Sequence, residues 1–137
     1  MSIVNPYIPL VDSNILISFF IHDVHFESSQ SILRKEIYIN DFVVCETLNF
    51  LQNKVSFFLS QAAEESIFSS QFIFRRIEIS SEVLIKAQEI RQIYADNELQ
   101  FTDAVLLAQS EIFGLTLYTR DQRMLGYKKA TVCCPEG

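Results

Sequence analysis

A chain of 137 residues, 49 % of them apolar, has the size of one domain and enough apolar side chain for a substantial core. Three glycines and three prolines leave no room for a flexible linker, so residues 1–137 are expected to form a single globule. The net charge of −6 excludes a general nucleic-acid coat, because such proteins carry excess Lys and Arg to neutralise phosphates.

Taken in chain order, Tyr7-Ile-Pro-Leu-Val11 is a short apolar run ending at Asp12, and Asn14 to Phe20 is apolar enough for a buried helical turn or two. A strand running into a helix is predicted there. Phe26 to Lys35 predicts a helix and Ile37-Tyr-Ile39 a brief strand. Asp41 is placed to cap a helix from Phe42 to Gln52, and helical character resumes from Val55 to Ser69. Phe74 to Ile79 predicts a third strand. Ser80-Ser81-Glu82 opens a helix through Tyr94, with Val83, Ala87, Ile90 and Tyr94 at helical spacing. Thr102 is placed to cap a helix from Asp103 to Phe113 that stops at Gly114. Thr116 to Thr119 predicts a fourth strand, Asp121 to Leu125 a short helix and Ala130 to Cys133 a fifth strand. Strands alternating with helices over the whole length imply an α/β fold with a mostly parallel sheet covered on both faces, and a site at the carboxyl ends of the strands.

Two acids, Asp12 and Asp121, fall at such ends, although each could serve merely as a helix cap. Asp103, in a first helical turn, is favoured by the helix dipole by roughly 0.3–1 kcal/mol. Glu46 is harder to explain structurally. Its helical neighbours are Phe42, Val43 and Phe50, while Val44, Leu48 and Leu51 line the other side. A helix so apolar is expected to be buried, and an ionised carboxylate inside it is costly without a cation or hydrogen-bond partner. Lys54, the nearest base, lies two turns away. Asp103 poses a weaker version of the same problem, because Ala104-Val-Leu-Leu-Ala108 follows it without a polar residue. Carboxylates that converge without matched bases repel one another, and Mg²⁺ or Mn²⁺ relieves the repulsion. Oxygen donors alone do not suit a zinc-type centre. Arg120, Arg123, Lys128 and Lys129, just beyond Asp121, supply a basic rim to an acidic body.

Other chemistries find little support. Cys45, Cys133 and Cys134 are odd in number and lack the spacing of a disulfide framework or a Cys-x-x-Cys zinc site, so they are expected to be reduced. His22 and His25 sit in a polar connection without a Ser or Cys partner, and no glycine-rich nucleotide loop exists. The twelve phenylalanines are expected in the core. Residues 1–6 lack the basic start and apolar segment of a signal peptide, and no apolar stretch approaches the roughly twenty residues of a membrane span, so a cytoplasmic protein is expected.

Four segments, Leu10-Val-Asp-Ser-Asn-Ile-Leu16, Val44-Cys-Glu-Thr-Leu48, Phe101-Thr-Asp-Ala104 and Leu117-Tyr-Thr-Arg-Asp121, resemble in order and spacing the signature blocks of PIN domains, particularly the short bacterial toxin-type ones. The resemblance spans about residues 8 to 134. It implies a doubly wound α/β fold, an acidic pocket holding Mg²⁺ or Mn²⁺, and endonucleolytic cleavage of RNA. By matching motif, Asp12, Glu46, Asp103 and Asp121 inherit metal-binding or catalytic roles, and Asn14 and Thr119 support them through hydrogen bonds. Arg120 and Arg123 are expected to meet the RNA at the pocket rim. The family often forms homodimers, and its toxin members are silenced by a cognate antitoxin. Two rivals remain: another Mg²⁺-dependent phosphohydrolase or receiver domain, and a non-catalytic module that binds RNA or protein on the same fold. A dehalogenase-type phosphatase wants Asp where Asn14 stands, and a receiver wants a late-strand Lys where Thr119-Arg-Asp121 stands.

Overall fold

The computed structural model describes residues 3–69 and 73–137. In chain order the elements are β1 (Leu10–Val11), α1 (Ser13–Ile21), α2 (Phe26–Ile32), β2 (Ile37–Ile39), α3 (Asp41–Lys54), α4 (Phe57–Ser69), β3 (Phe74–Arg76), α5 (Ser81–Ile93), a 3-10 turn (Ala95–Asn97), α6 (Phe101–Phe113), β4 (Thr116–Tyr118), α7 (Gln122–Leu125) and β5 (Thr131–Cys133). The five strands form one sheet in the order β3-β2-β1-β4-β5, and every pairing is parallel. This is the doubly wound α/β arrangement. Strands covered on both faces become continuous apolar runs, and Leu10, Val11, Ile37, Ile39 and Leu117 are wholly buried. Packing of α1 on α2 and α3, and of α5 on α6, supplies the covering layers. Among the described residues no helix is long and apolar enough to cross a membrane.

The chain leaves β1 to add β2 and β3 on one side, then returns to add β4 and β5 on the other. The switch lies between β1 and β4, where a doubly wound sheet opens a crevice beyond its carboxyl edge. Asp12 and Thr119, the first residues after β1 and β4, therefore meet at one place.

Several boundaries differ from expectation for local reasons. The first strand begins at Leu10 rather than Tyr7: proline has no N–H to donate, and Pro9 contributes only its carbonyl, to Tyr38 N at 2.7 Å. Asn40, not Asp41, caps α3, its Oδ1 accepting from Val43 N at 2.9 Å. Its Nδ2 donates to Gln109 Oε1 at 2.8 Å, and Gln109 Nε2 donates to the Glu78 carbonyl at 3.0 Å, so the cap also ties the end of β2 to α6. Likewise α6 starts at Phe101 with Gln100 as its cap, which leaves Thr102 inside the helix. Asp103 completes a reciprocal capping box with Gln100. Residues Asp103 to Ser110 of α6 are all buried, and Gly114 ends the helix at φ 66°, a left-handed conformation that favours glycine.

Candidate active site

Asp12 follows β1 directly and caps α1, its Oδ1 accepting from Ser13 N at 2.7 Å. The second oxygen accepts from Thr119 Oγ1 at 2.7 Å and lies 3.4 Å from Asn14 Nδ2. Thr119, wholly buried after β4, also accepts from Asp121 N at 3.1 Å and Asn14 Nδ2 at 3.2 Å, so one hydroxyl ties the ends of the two central strands together. Asp12 is only 4 % exposed. Burial pushes its pKa up to about 6; the bonds from Thr119 and Ser13 act against the shift, and the charges of Asp103 and Glu46 add to it.

Three further carboxylates face the same cavity, about 250 Å³ in volume and also bordered by Ser13, Asn14, Gln100 and Arg123. Asp103, 7 % exposed, reaches it from the first turn of α6. Burial raises its pKa, and the negative charges of Asp121 and Glu46 add to that, while the Gln100 N–H and Arg123 oppose it. Asp121 caps α7 and is held below the usual carboxylate range chiefly by hydrogen bonds from Arg123, whose Nη2 stands 2.8 Å from Oδ2. The same nitrogen lies 3.7 Å from Asp103 Oδ2, so Arg123 spans both acids.

Glu46 comes from α3, whose environment is less apolar than its sequence suggests. Val43, Val44, Thr47 and Leu51 face the core, whereas Cys45, Asn49 and Phe50 face outward and Glu46 is half-buried between them. Its Oε1 accepts from Ser13 Oγ at 2.6 Å, and Thr102 Oγ1 stands 3.5 Å from Oε2. Ser13 and Gln100 are therefore part of the site, although neither stood out in the sequence. Ser13 adjoins Asp12, and Gln100 lies three residues before Asp103, so proximity to an acid was the only available signal.

The four carboxylates, all hard oxygen donors, have the chemistry to hold Mg²⁺ or Mn²⁺. As the side chains stand, no three Asp, Glu, His or Cys residues among those described converge closely enough to coordinate an ion. Ser13 holds Glu46, and Arg123 clasps Asp121 and Asp103.

Arg120, expected at the rim, instead points between α1, α2 and the chain's C-terminal end. Its Nη1 donates to Ser18 Oγ at 3.2 Å, its Nη2 to Ser29 Oγ at 2.9 Å, and Nε and Nη2 donate to Glu136 at 2.8 Å each. Its side chain is 13 % exposed, and its hydrogen bonds hold the Glu136 carboxyl down at about pKa 2. Residues distant in sequence set this direction: the Arg120 N–H is bound to Asn14 Oδ1 at 3.2 Å, and its Nη1 reaches the Asn14 carbonyl and Ser18 along α1. Ser18 and Ser29 also bond each other, so Arg120→Ala is expected to cost on the order of 1–3 kcal/mol, mostly through the lost charge-assisted bonds to Glu136 and the two buried hydroxyls. Chemical denaturation reads this; a loss below about 0.5 kcal/mol would show the network to be ornamental. The histidines stay apart from the acids: His22 stacks on Phe26, and His25 lies 3.8 Å from Glu136. All three cysteines are free.

The PIN domain family model matches residues 10–130, which contain all four acids. The chain belongs to the PIN-domain family. Solved structures share its fold: a toxin-antitoxin complex from Klebsiella pneumoniae, 23 % identical with a TM-score of 0.73, covers 93 % of this chain and 97 % of its own. VapC20 of Mycobacterium tuberculosis, described as a sarcin-ricin loop cleaving toxin, is 16 % identical with a TM-score of 0.74 over 88 % of this chain and 97 % of its own. FitAcB of Neisseria gonorrhoeae is 20 % identical with a TM-score of 0.72 over 94 % and 99 %. No curated protein matches the sequence significantly.

Proposed function

We propose that this protein is a metal-dependent endoribonuclease of the toxin type, cutting RNA phosphodiester bonds at the acidic cavity. The observation that carries this reading is Asp12: a buried carboxylate at the switch point of a doubly wound sheet, close enough to Asp103 and Glu46 that their charges help raise its pKa. A structural cap would gain nothing from such company. Asp12 and Asp103 would hold the principal Mg²⁺ or Mn²⁺, and Glu46 and Asp121 would complete the pocket. A cation held there would supply Lewis-acid chemistry, activating a water and neutralising charge on the phosphate oxygens. Asn14 and Thr119 fix the orientation of Asp12. Arg123, 46 % exposed at the rim, offers its guanidinium to a substrate phosphate.

Partners follow from the same reading. The Klebsiella pneumoniae neighbour is a toxin-antitoxin complex, and a cognate antitoxin is proposed here together with a homodimer and a cytoplasmic setting. Exposed Phe57, Phe58 and Phe68 on α4 and Ile85 and Ile93 on α5 give this chain apolar surface for such contacts. Incubation of purified protein with single-stranded RNA tests the activity. Cleavage that requires Mg²⁺ or Mn²⁺ and stops in EDTA is expected; undiminished cleavage in EDTA overturns the metal mechanism. RNA binding without cleavage under every metal condition would favour the non-catalytic module.

A further inference from the structure

Beside the acidic cavity runs a larger one, about 570 Å³, between the last turns of α5 and the start of α6. Gln88, Arg91, Gln92, Leu99 and Phe101 line most of it. The two cavities share the segment 98–101: Gln100 borders the acidic one, while Glu98, Leu99 and Phe101 border the larger. Arg123 bridges them as well, its Nη1 standing 3.4 Å from the Glu98 carbonyl while its Nη2 holds Asp121. A strand lying over the acids would thus pass directly into the second groove.

The chemistry of that groove is distinct. Arg91 Nε donates to the Leu99 carbonyl at 3.0 Å, which fixes the guanidinium at 6.0 Å from the centre of the Phe101 ring. Arg75, Arg76, Arg120 and Arg123 each pair with a carboxylate, whereas among the described residues no carboxylate pairs with Arg91 or with Arg34, and of these two only Arg91 lines the groove. A held cation paired with no carboxylate, over a partly buried aromatic ring and beside two glutamine amides, suits a nucleotide even with Glu98 on the same lining: the guanidinium meets phosphate or stacks on the base, Phe101 backs it, and Gln88 and Gln92 can both donate and accept.

We infer that this α5–α6 groove is a subsite for a nucleotide flanking the scissile phosphate of single-stranded RNA, with Arg91 and Phe101 as its recognising pair. The inference rests on the ribonuclease reading and extends it, placing substrate affinity outside the acidic cavity. It also shows how an acidic protein can engage RNA. Arg123, through the Glu98 carbonyl, and Arg91 stand at the two ends of the segment that the cavities share.

The test is steady-state cleavage of a mixed-sequence fluorescent RNA of about 12 nucleotides, long enough to reach past the acids, with Mg²⁺ over a series of salt concentrations. Wild type, Arg91→Gln, Phe101→Leu and an edge-strand control, Arg75→Gln, are compared, with circular dichroism and thermal melts to establish folding. Arg91→Gln is expected to raise KM about tenfold and to flatten the log–log salt dependence of kcat/KM by about 0.7, the share of one phosphate contact in a single strand. Phe101→Leu is expected to raise KM without changing that slope, because it removes a stack and no charge. Arg75→Gln should keep the wild-type slope. A folded Arg91→Gln with wild-type KM and slope removes the subsite while leaving the nuclease intact. Wild type that neither cuts nor binds RNA removes the ribonuclease reading, and the subsite with it.

Discussion

Asp12→Asn is expected to stabilise the metal-free protein at neutral pH while abolishing cleavage. Asp12 has a folded pKa of about 6 against an ordinary value of 3.8, so the fold disfavours its charged form. Below pH 3.8 the group is protonated whether the chain is folded or not, and it costs nothing. As pH rises through about 6 the folded state must surrender its extra proton, stability falls, and the full penalty stands above that value. The gap corresponds to about 3 kcal/mol for so buried a group. Asparagine removes the charge but keeps one carbonyl acceptor for Ser13 N or Thr119, so a gain of roughly 1–3 kcal/mol is expected at pH 8, shrinking toward zero at pH 4. Cation affinity should fall by at least the ~10–100-fold that loss of an outer-sphere partner already costs. Urea denaturation in EDTA at the two pH values checks the sign. A variant less stable than wild type at pH 8 would mean that hydrogen bonding outweighs burial and repulsion at this position.

Asp103→Asn probes the opposite wall of the cavity, where cap and cluster coincide. As the capping-box partner of Gln100 its carboxylate is favoured by the helix dipole, by roughly 0.3–1 kcal/mol, and Arg123 adds attraction. Its pKa is nevertheless raised, so burial together with the charges of Asp121 and Glu46 outweighs both. Asparagine can still accept from Gln100 N. The metal-free variant is therefore expected to be as stable as wild type or more so, to lose cleavage, and to lose most of the stabilisation that Mg²⁺ confers, since a ligand of the folded state stabilises in proportion to its affinity. Denaturation of both proteins in EDTA and in Mg²⁺ decides the matter. A clearly destabilised variant whose Mg²⁺ response is unchanged would reduce Asp103 to a cap.

The order of elements was legible because short apolar runs alternate with amphipathic segments, and that alternation alone implies a parallel sheet. Asp12 and Asp121 stood out because each closes an apolar strand. What could not be read was side-chain direction. Arg120 and Arg123 lie three positions apart in one basic cluster, yet Arg123 turns to the acids and Arg120 turns away to Ser18, Ser29 and Glu136, a choice made by residues distant in sequence. Asn40 and Asp41 are both good caps, and only the bond to Gln109, 69 positions later, selects the first. Glu46 drew notice for a reason that did not hold: α3 is apolar in composition but keeps an open side, and Ser13, from another helix, partners the carboxylate.

The switch in strand order also bears on how the chain behaves while it is being made. Asp12 and the Thr119 hydroxyl that positions it are 107 residues apart. At ribosomal rates that separation corresponds to a delay of roughly 5–20 s. During it β1 can pair with β2 but keeps its other edge bare, and Asp103 and Asp121 are the late-arriving half of the cavity. Contacts so distant in sequence also close slowly. On the proposed reading, a growing chain holds no assembled cutting site until Asp103, Thr119 and Asp121 have been made.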